Sequence, residues 1–256
     1  MPQPVNYCPL CHHENSQHFD TCQFRGHTVT NRICDNCGLV YQSPRMSTVE
    51  LDEFYTTKYR QIYQGAEGPT QKDLQTQQRR AAALLEFVTE FIPEMERHLD
   101  IGCSAGTLLE TFRDHYGNQT VGVEPGDAYR NFAREKGITV YADIADLLPA
   151  GEGCSDLISM THVLEHLSNP VGYLTYLSEK FLAKGGWLLI EVPNLYCHDS
   201  FEIAHLISFS PHTLRQTLLQ AGYEIVKLEA HGRPRSKLLQ LYLTVLARPA
   251  QRAGEV

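Results

Sequence analysis

Four of the chain's eight cysteines fall in two C-x2-C pairs, Cys8/Cys11 and Cys34/Cys37. Each such turn presents two sulfurs to one ion, and two turns close a tetrahedral thiolate shell around Zn2+. The residues between the pairs can form a hairpin over the metal. A single C-x2-C can be a redox pair, but two pairs in one short segment favour a closed structural site. A second pattern is Leu99-Asp100-Ile101-Gly102-Cys103-Ser104-Ala105-Gly106, where an apolar run gives way to glycines that let the backbone approach a ligand. The spacing is not G-x-G-x-x-G, which argues against a dinucleotide phosphate cradle. An Asp ahead of such a turn suits a ligand with a cationic amino-acid end. Glu124 closes the next apolar run, Val121-Gly122-Val123, where an acid can accept hydrogen bonds from both ribose hydroxyls. Asp143 follows a third run and either faces an adenine amino group or caps a helix.

These residues must be positioned by an alternation of strands and helices. Apolar spacing predicts a helix from Gln77 to Ile92, stopped by Pro93. Strands are expected at 98–101, 120–124, 138–141, 156–160 and 187–192. Helices are expected at 105–115, 127–136, 170–182 and 211–221, with Pro170 opening one and Gly222 ending another. Two closing strands, 223–229 and 238–247, are joined by a Gly/Pro turn. The alternation implies a parallel sheet with helices on both faces, and the closing pair implies an antiparallel partner. Residues 1–45 read as a zinc-ribbon-like unit and 46–76 as a polar, Tyr- and Gln-rich linker with a short helix near 49–59. Residues 77–256 read as the main domain.

Composition narrows the function. The chain has 256 residues, a net charge of −8 and 42% hydrophobic residues. These are globular proportions, and disorder is excluded. An acidic chain is a poor generic binder of nucleic acid or anionic membrane. No apolar run of about 18 residues predicts a transmembrane helix, and the N-terminus lacks the charged and apolar regions of a secretory signal. Together with the paired cysteines, this places the protein in a reducing cytoplasm.

The 77–248 stretch resembles the class I S-adenosylmethionine (SAM)-dependent methyltransferases. The resemblance rests on D-I-G-C-S-A-G, V-G-V-E, D-L-I-S-M-T-H-V-L-E-H (156–166), L-L-I-E-V-P-N (188–194) and H-L-I-S-F-S-P (205–211). The leader C-P-L-C…C-D-N-C-G-L-V-Y-Q-S-P-R is similar to the zinc-binding leader on a subset of these enzymes, many acting on sugars and other small metabolites. The resemblance implies a Rossmann-like seven-stranded sheet with an antiparallel last strand. It implies that Asp100, Gly102, Cys103 and Gly106 contact the methionine end of SAM. Glu124 would hold the ribose, Asp143 and Ile144 would flank the adenine, and Thr161 and His162 would line the sulfonium side. Tyr55, Tyr59 and Tyr63 stand where such families carry an aromatic lid, or are ordinary packing.

Methyl transfer needs a base only for a hydroxyl or an acidic carbon. His162, His166 and His205 are the candidates, with His205 and His166 taken as catalytic. Each is weighed against a bland role, His205 as a bonded loop residue and His166 as a turn cap. A zinc-led sugar C-methylating group carries roughly Tyr-His-Glu-His at this point. Here the segment reads Glu202-Ile203-Ala204-His205, so only the last histidine matches. The basic turn His231–Lys237 could hold a substrate phosphate, or be a solvated hairpin tip. The leading expectation is a methyltransferase acting on a small molecule such as a sugar nucleotide. The alternatives are an RNA methyltransferase gripping RNA with the ribbon, and a non-catalytic SAM-binding module. Oligomeric state is left open.

Overall fold

The computed structural model describes residues 2–47, 49–51, 54, 68–197 and 201–250. Tyr55, Tyr59 and Tyr63, and most of the helix expected near 49–59, lie outside the described residues.

The leader forms an antiparallel hairpin, β1 (Ser16–Phe24) and β2 (His27–Cys34), followed by β3 (Val40–Gln42). The main sheet has seven strands: β4 (Arg97–Ile101), β5 (Gln119–Val123), β6 (Thr139–Tyr141), β7 (Ser155–Thr161), β8 (Leu182–Pro193), β10 (Tyr223–His231) and β11 (Tyr242–Pro249). Their order is β10-β11-β8-β7-β4-β5-β6. β11 runs antiparallel to both of its neighbours, and the remaining pairs are parallel. This is the Rossmann-like methyltransferase arrangement that the resemblance implies.

Both faces of the central strands are buried, which explains their nearly unbroken apolar runs. Ile158, Leu188, Ile190 and Val245 pack on one face with Leu174, Leu177, Leu214 and Leu218 of helices α4 (Pro170–Lys180) and α5 (Pro211–Gln220). Leu157, Leu189 and Leu246 face the other way, against Ala81, Leu84, Val88 and Phe112 of α1 (Gln71–Thr89) and α2 (Thr107–Tyr116). Helix α3 (Asp127–Glu135) covers the β5–β6 side, where Ala133 packs with Ile138 and Val140.

Several boundaries differ from the sequence reading, among them β8, which starts at Leu182 and not Trp187, and two have a clear local cause. Helix α1 begins at Gln71 instead of Gln77, because Thr70 and Asp73 form a reciprocal capping box. Strand β11 begins at Tyr242 rather than Leu238: Leu238 and Leu239 are exposed at 93% and 57%, and their amides bond to Ser236 Oγ in a turn.

One short strand joins the leader to the rest. β9 (Ile207–Ser208) comes from the main chain, yet it pairs with β3, so the second sheet reads β1-β2-β3-β9. The amide of Gln42 donates to Leu206 O at 2.9 Å, and Phe19 meets Phe201 edge-on at 5.9 Å.

Candidate active site

A cleft of about 910 Å³ opens at the C-terminal ends of β4, β5, β7 and β8. This is where open α/β sheets bind ligands. Gly102, at φ +74°, and Gly106, at φ +72°, carry the turn from β4 into α2. A Cβ at Gly102 would lie 2.5 Å from Val163 Cγ2, and one at Gly106 would lie 2.5 Å from Ile138 Cδ1. Only glycine fits the backbone shape and the space together. Cys103 lines the cleft, and its side chain packs on Gly122 within the core beside Leu109 and Val140.

Asp100 is buried at the base of the cleft. The Ser159 hydroxyl donates to Asp100 Oδ1 at 2.6 Å, and the ring of His98 bonds that hydroxyl at 2.7 Å. Since the hydroxyl proton goes to Asp100, His98 Nε2 is the donor to Ser159. Burial raises the Asp100 carboxyl to about 7; the bond from Ser159 opposes this and the charge of Glu124 adds to it. Burial likewise drops His98 to about 3, so it is neutral.

Glu124 ties the loops that follow β4 and β5, accepting from Ser104 N at 3.0 Å and Gly126 N at 2.8 Å. Asp143 caps a turn, accepting from Ala145 N at 2.8 Å, with Ile144 next to it on the cleft wall. The capping reading of Asp143 is therefore realised, and the residue still borders the cleft.

Thr161 ends β7. His162 follows in the left-handed region, at φ 56°, with its amide bonded to Glu191 O. Its ring lies between two buried carboxylates: Nδ1 is 3.2 Å from Glu165 Oε1, and Nε2 is 3.3 Å from Glu191 Oε1. Glu165, His166 and His205 come together beside it. The His166 and His205 rings meet edge-on at 4.8 Å, His205 Nε2 lies 2.7 Å from Glu202 Oε1, and the same nitrogen is 4.0 Å from Glu165 Oε1. Burial pushes the Glu165 carboxyl up, but the bond to His162 and the charges of the three histidines outweigh it and hold it at about 2. His166 falls to about 4, mainly through burial.

Glu191 and Arg80 went unremarked in the sequence reading as site residues. Arg80 Nε reaches from α1 to Glu191 Oε1 at 2.7 Å, and its guanidinium lies over the Tyr242 ring at 5.2 Å. Thr244 donates to the other Glu191 oxygen, and His231 bonds Thr244 at 2.7 Å. The available signal was one charge inside the apolar run of β8. In the basic turn, Arg233 pairs with Glu86, while Arg235 stands on the cleft wall.

In the leader, all four Cys8, Cys11, Cys34 and Cys37 sulfurs lie within 4.8 Å of one another. Cys8 faces Cys37 and Cys11 faces Cys34, each at 3.5 Å. Those gaps exclude disulfides and approach the edge of about 3.8 Å that four Zn–S bonds of ~2.3 Å would give. Each pair is followed by a left-handed residue, His12 or Gly38, whose amide returns to the carbonyl of the first cysteine.

A family profile described as a methyltransferase domain matches residues 74–228, more than half of the chain. The chain belongs to this methyltransferase family. Solved structures agree at the level of fold. An S-adenosylmethionine-dependent methyltransferase from Clostridium acetobutylicum is 12% identical, with a TM-score of 0.53, over 75% of this chain and 96% of that one. Magnesium protoporphyrin IX methyltransferase from Synechocystis, solved with SAM, is 13% identical (TM-score 0.55; 79% and 96% covered). A putative methyltransferase from Haloferax volcanii, in complex with the activator Trm112, is 14% identical (TM-score 0.58; 79% and 98% covered). No curated protein matches the sequence. Among the described residues no helix is long and apolar enough to cross a membrane.

Proposed function

We propose that this methyltransferase acts on a small-molecule acceptor of the sugar-nucleotide kind, with Zn2+ in the four-cysteine leader. The observation that carries the reading is the cleft. Its glycine turn and buried Asp100 fit the amino-acid end of SAM, and its far wall gathers His162, His166 and His205. When bound, SAM supplies an activated methyl group.

Asp100 orients the cationic end through charge, and the Gly102 and Gly106 backbone lets that end lie close. Glu124, already held by two amides, presents its carboxylate toward the ribose. Asp143 and Ile144 border the adenine. Because the leaving group is activated, the chain contributes chiefly position. Proton removal from the acceptor falls to the histidine wall, with His205 at its cleft edge and Glu202 aligned on its ring. Arg235 meets the acceptor's anionic part. The net charge of −8 disfavours RNA as acceptor. Residues 1–45 serve as a metal-stapled brace, 46–76 as the connecting segment and 77–256 as the transferase body, in a cytoplasmic enzyme.

The test is transfer of label from methyl-labelled SAM into cell extract divided into small-molecule, nucleic-acid and protein fractions. Label in the small-molecule fraction supports the reading. Label in RNA overturns it and makes the leader an RNA grip. Absence of label in every fraction, with SAM still bound, points instead to an accessory SAM-binding protein.

A further inference from the structure

We infer that Glu165, His166 and His205 form a second metal site, distinct from the cysteine cluster, that takes a first-row divalent cation at the acceptor wall of the cleft. One ligand atom from each of the three residues lies within 4.8 Å of the others. Metal bonds of about 2.0–2.2 Å to nitrogen and oxygen set neighbouring donors roughly 3 Å apart and opposite donors roughly 4.3 Å apart. The 4.0 Å between Glu165 Oε1 and His205 Nε2 falls in that span. Glu202 Oε1 lies 2.7 Å from His205 Nε2, and a cation bound at that nitrogen would replace its N–H, the ring proton moving to Nδ1.

Three further observations point to a ligand. Glu165 is 1% exposed, and its Oε2 is buried without a hydrogen-bond partner among the described residues. Leaving one oxygen of a buried carboxylate unsatisfied is costly, and a cation held by both oxygens of Glu165 would remove that cost. His166 Nδ1 lies 2.8 Å from the carbonyl of Ala204. A carbonyl only accepts, so Nδ1 carries the proton and Nε2 carries the lone pair, as in metal-bound histidines oriented by a backbone oxygen. Finally, the two segments are clamped before any ion arrives. Leu206 N donates to Glu165 O at 2.9 Å, and β9 is held by β3.

Two imidazoles with carboxylates suit Zn2+, Fe2+, Mn2+ or Co2+ better than Mg2+ or Ca2+. His166, His205 and Glu202 all border the cleft, so an acceptor oxygen can complete the shell. A cation there would lower that oxygen's pKa, so with metal bound His205 would act as a ligand and not as the base. This use rests on the proposed small-molecule methyl transfer, whereas metal binding does not.

The experiment titrates Mn2+ into full-length protein carrying one equivalent of zinc per chain and follows the electron paramagnetic resonance of free Mn2+, because thiolates bind manganese poorly. One Mn2+ per chain is expected. Glu165→Gln and His166→Ala should each weaken its binding at least tenfold, while zinc content stays at one per chain. Glu165 is buried, so His205→Gln, at the cleft edge, is the variant that keeps the fold safe; it should weaken binding at least fivefold with an unchanged melting temperature. Failure to bind Mn2+ up to millimolar concentration, or binding that His205→Gln leaves intact, overturns the site. Neither outcome bears on the labelling test of the acceptor class.

Discussion

Asp100 gives the sharpest test of how the cleft works. Its carboxyl is raised from 3.8 to about 7, chiefly by burial. One unit is worth 1.36 kcal/mol, so the full displacement is about 4 kcal/mol. A group raised on folding costs nothing below its unfolded value. The penalty then grows as pH rises and is complete once pH passes the folded value near 7. Asp100→Asn keeps an acceptor for Ser159 and removes the charge. The stability of the variant relative to wild type should therefore improve with pH, by roughly 3 kcal/mol between pH 5 and pH 8. Urea unfolding of both proteins at four pH values in that interval measures this, with other titrating groups cancelling in the comparison. On the proposed reading, the same carboxyl pairs with the ammonium of SAM only when ionised. SAM affinity of the wild type should rise about tenfold per unit up to pH 7 and then level, whereas Asp100→Asn should bind weakly with little pH dependence. A stability difference that stays constant from pH 5 to 8 would refute the reasoning.

Other expectations follow from the same geometry. Gly102→Ala drives a methyl group to 2.5 Å from Val163 at a positive φ, and should weaken SAM binding at least tenfold by calorimetry. Glu191→Gln leaves the Arg80 guanidinium facing a neutral amide, and should cost about 3 kcal/mol in urea unfolding; a loss below about 1 kcal/mol contradicts the buried pair. His205→Ala should reduce turnover by about 10²–10³ with an unchanged SAM dissociation constant, and full turnover with bound acceptor would remove it from the chemistry. Cys34→Ser should release zinc, loosen β3 from β9 and lower turnover more than SAM affinity, read in parallel by metal analysis and binding.

The parts of the site that were legible in the sequence are those where one residue type has one physical use. Two C-x2-C turns predict four converging sulfurs, and the structure brings them together. Glycines after a strand predict a tight turn, and Gly102 and Gly106 occupy left-handed backbone there. Alternating strands and helices give the sheet because each apolar run is long enough to be read. The missed features depend on partners far away in sequence. Glu191 looks like a blemish in an apolar strand until Arg80, His162 and Thr244 surround it. Glu165 and His205 are 40 positions apart, and the bonds from Leu206 to Glu165 and from His166 to Ala204 put them side by side. The start of α1 was hidden by its polar, Gln-rich first turns, although Thr70-x-x-Asp73 was a usable cap signal. β9 is two residues long, below anything a pattern of alternation can detect.

That two-residue strand has a consequence for how the polypeptide is made. β3 leaves the ribosome early, but its partner lies at positions 207–208, after most of the transferase body. During synthesis the leader can assemble its hairpin and cysteine cluster while one edge waits with unpaired amides and carbonyls. The final closure is a contact of very long sequence separation, which makes it slow. A shortened version lacking the leader would inherit the complementary problem, with Ile207 and Ser208 stripped of their partner beside the histidine wall. The leader is thus poorly suited to being exchanged between enzymes as a freely movable cassette: any substitute must carry a strand that docks on β9.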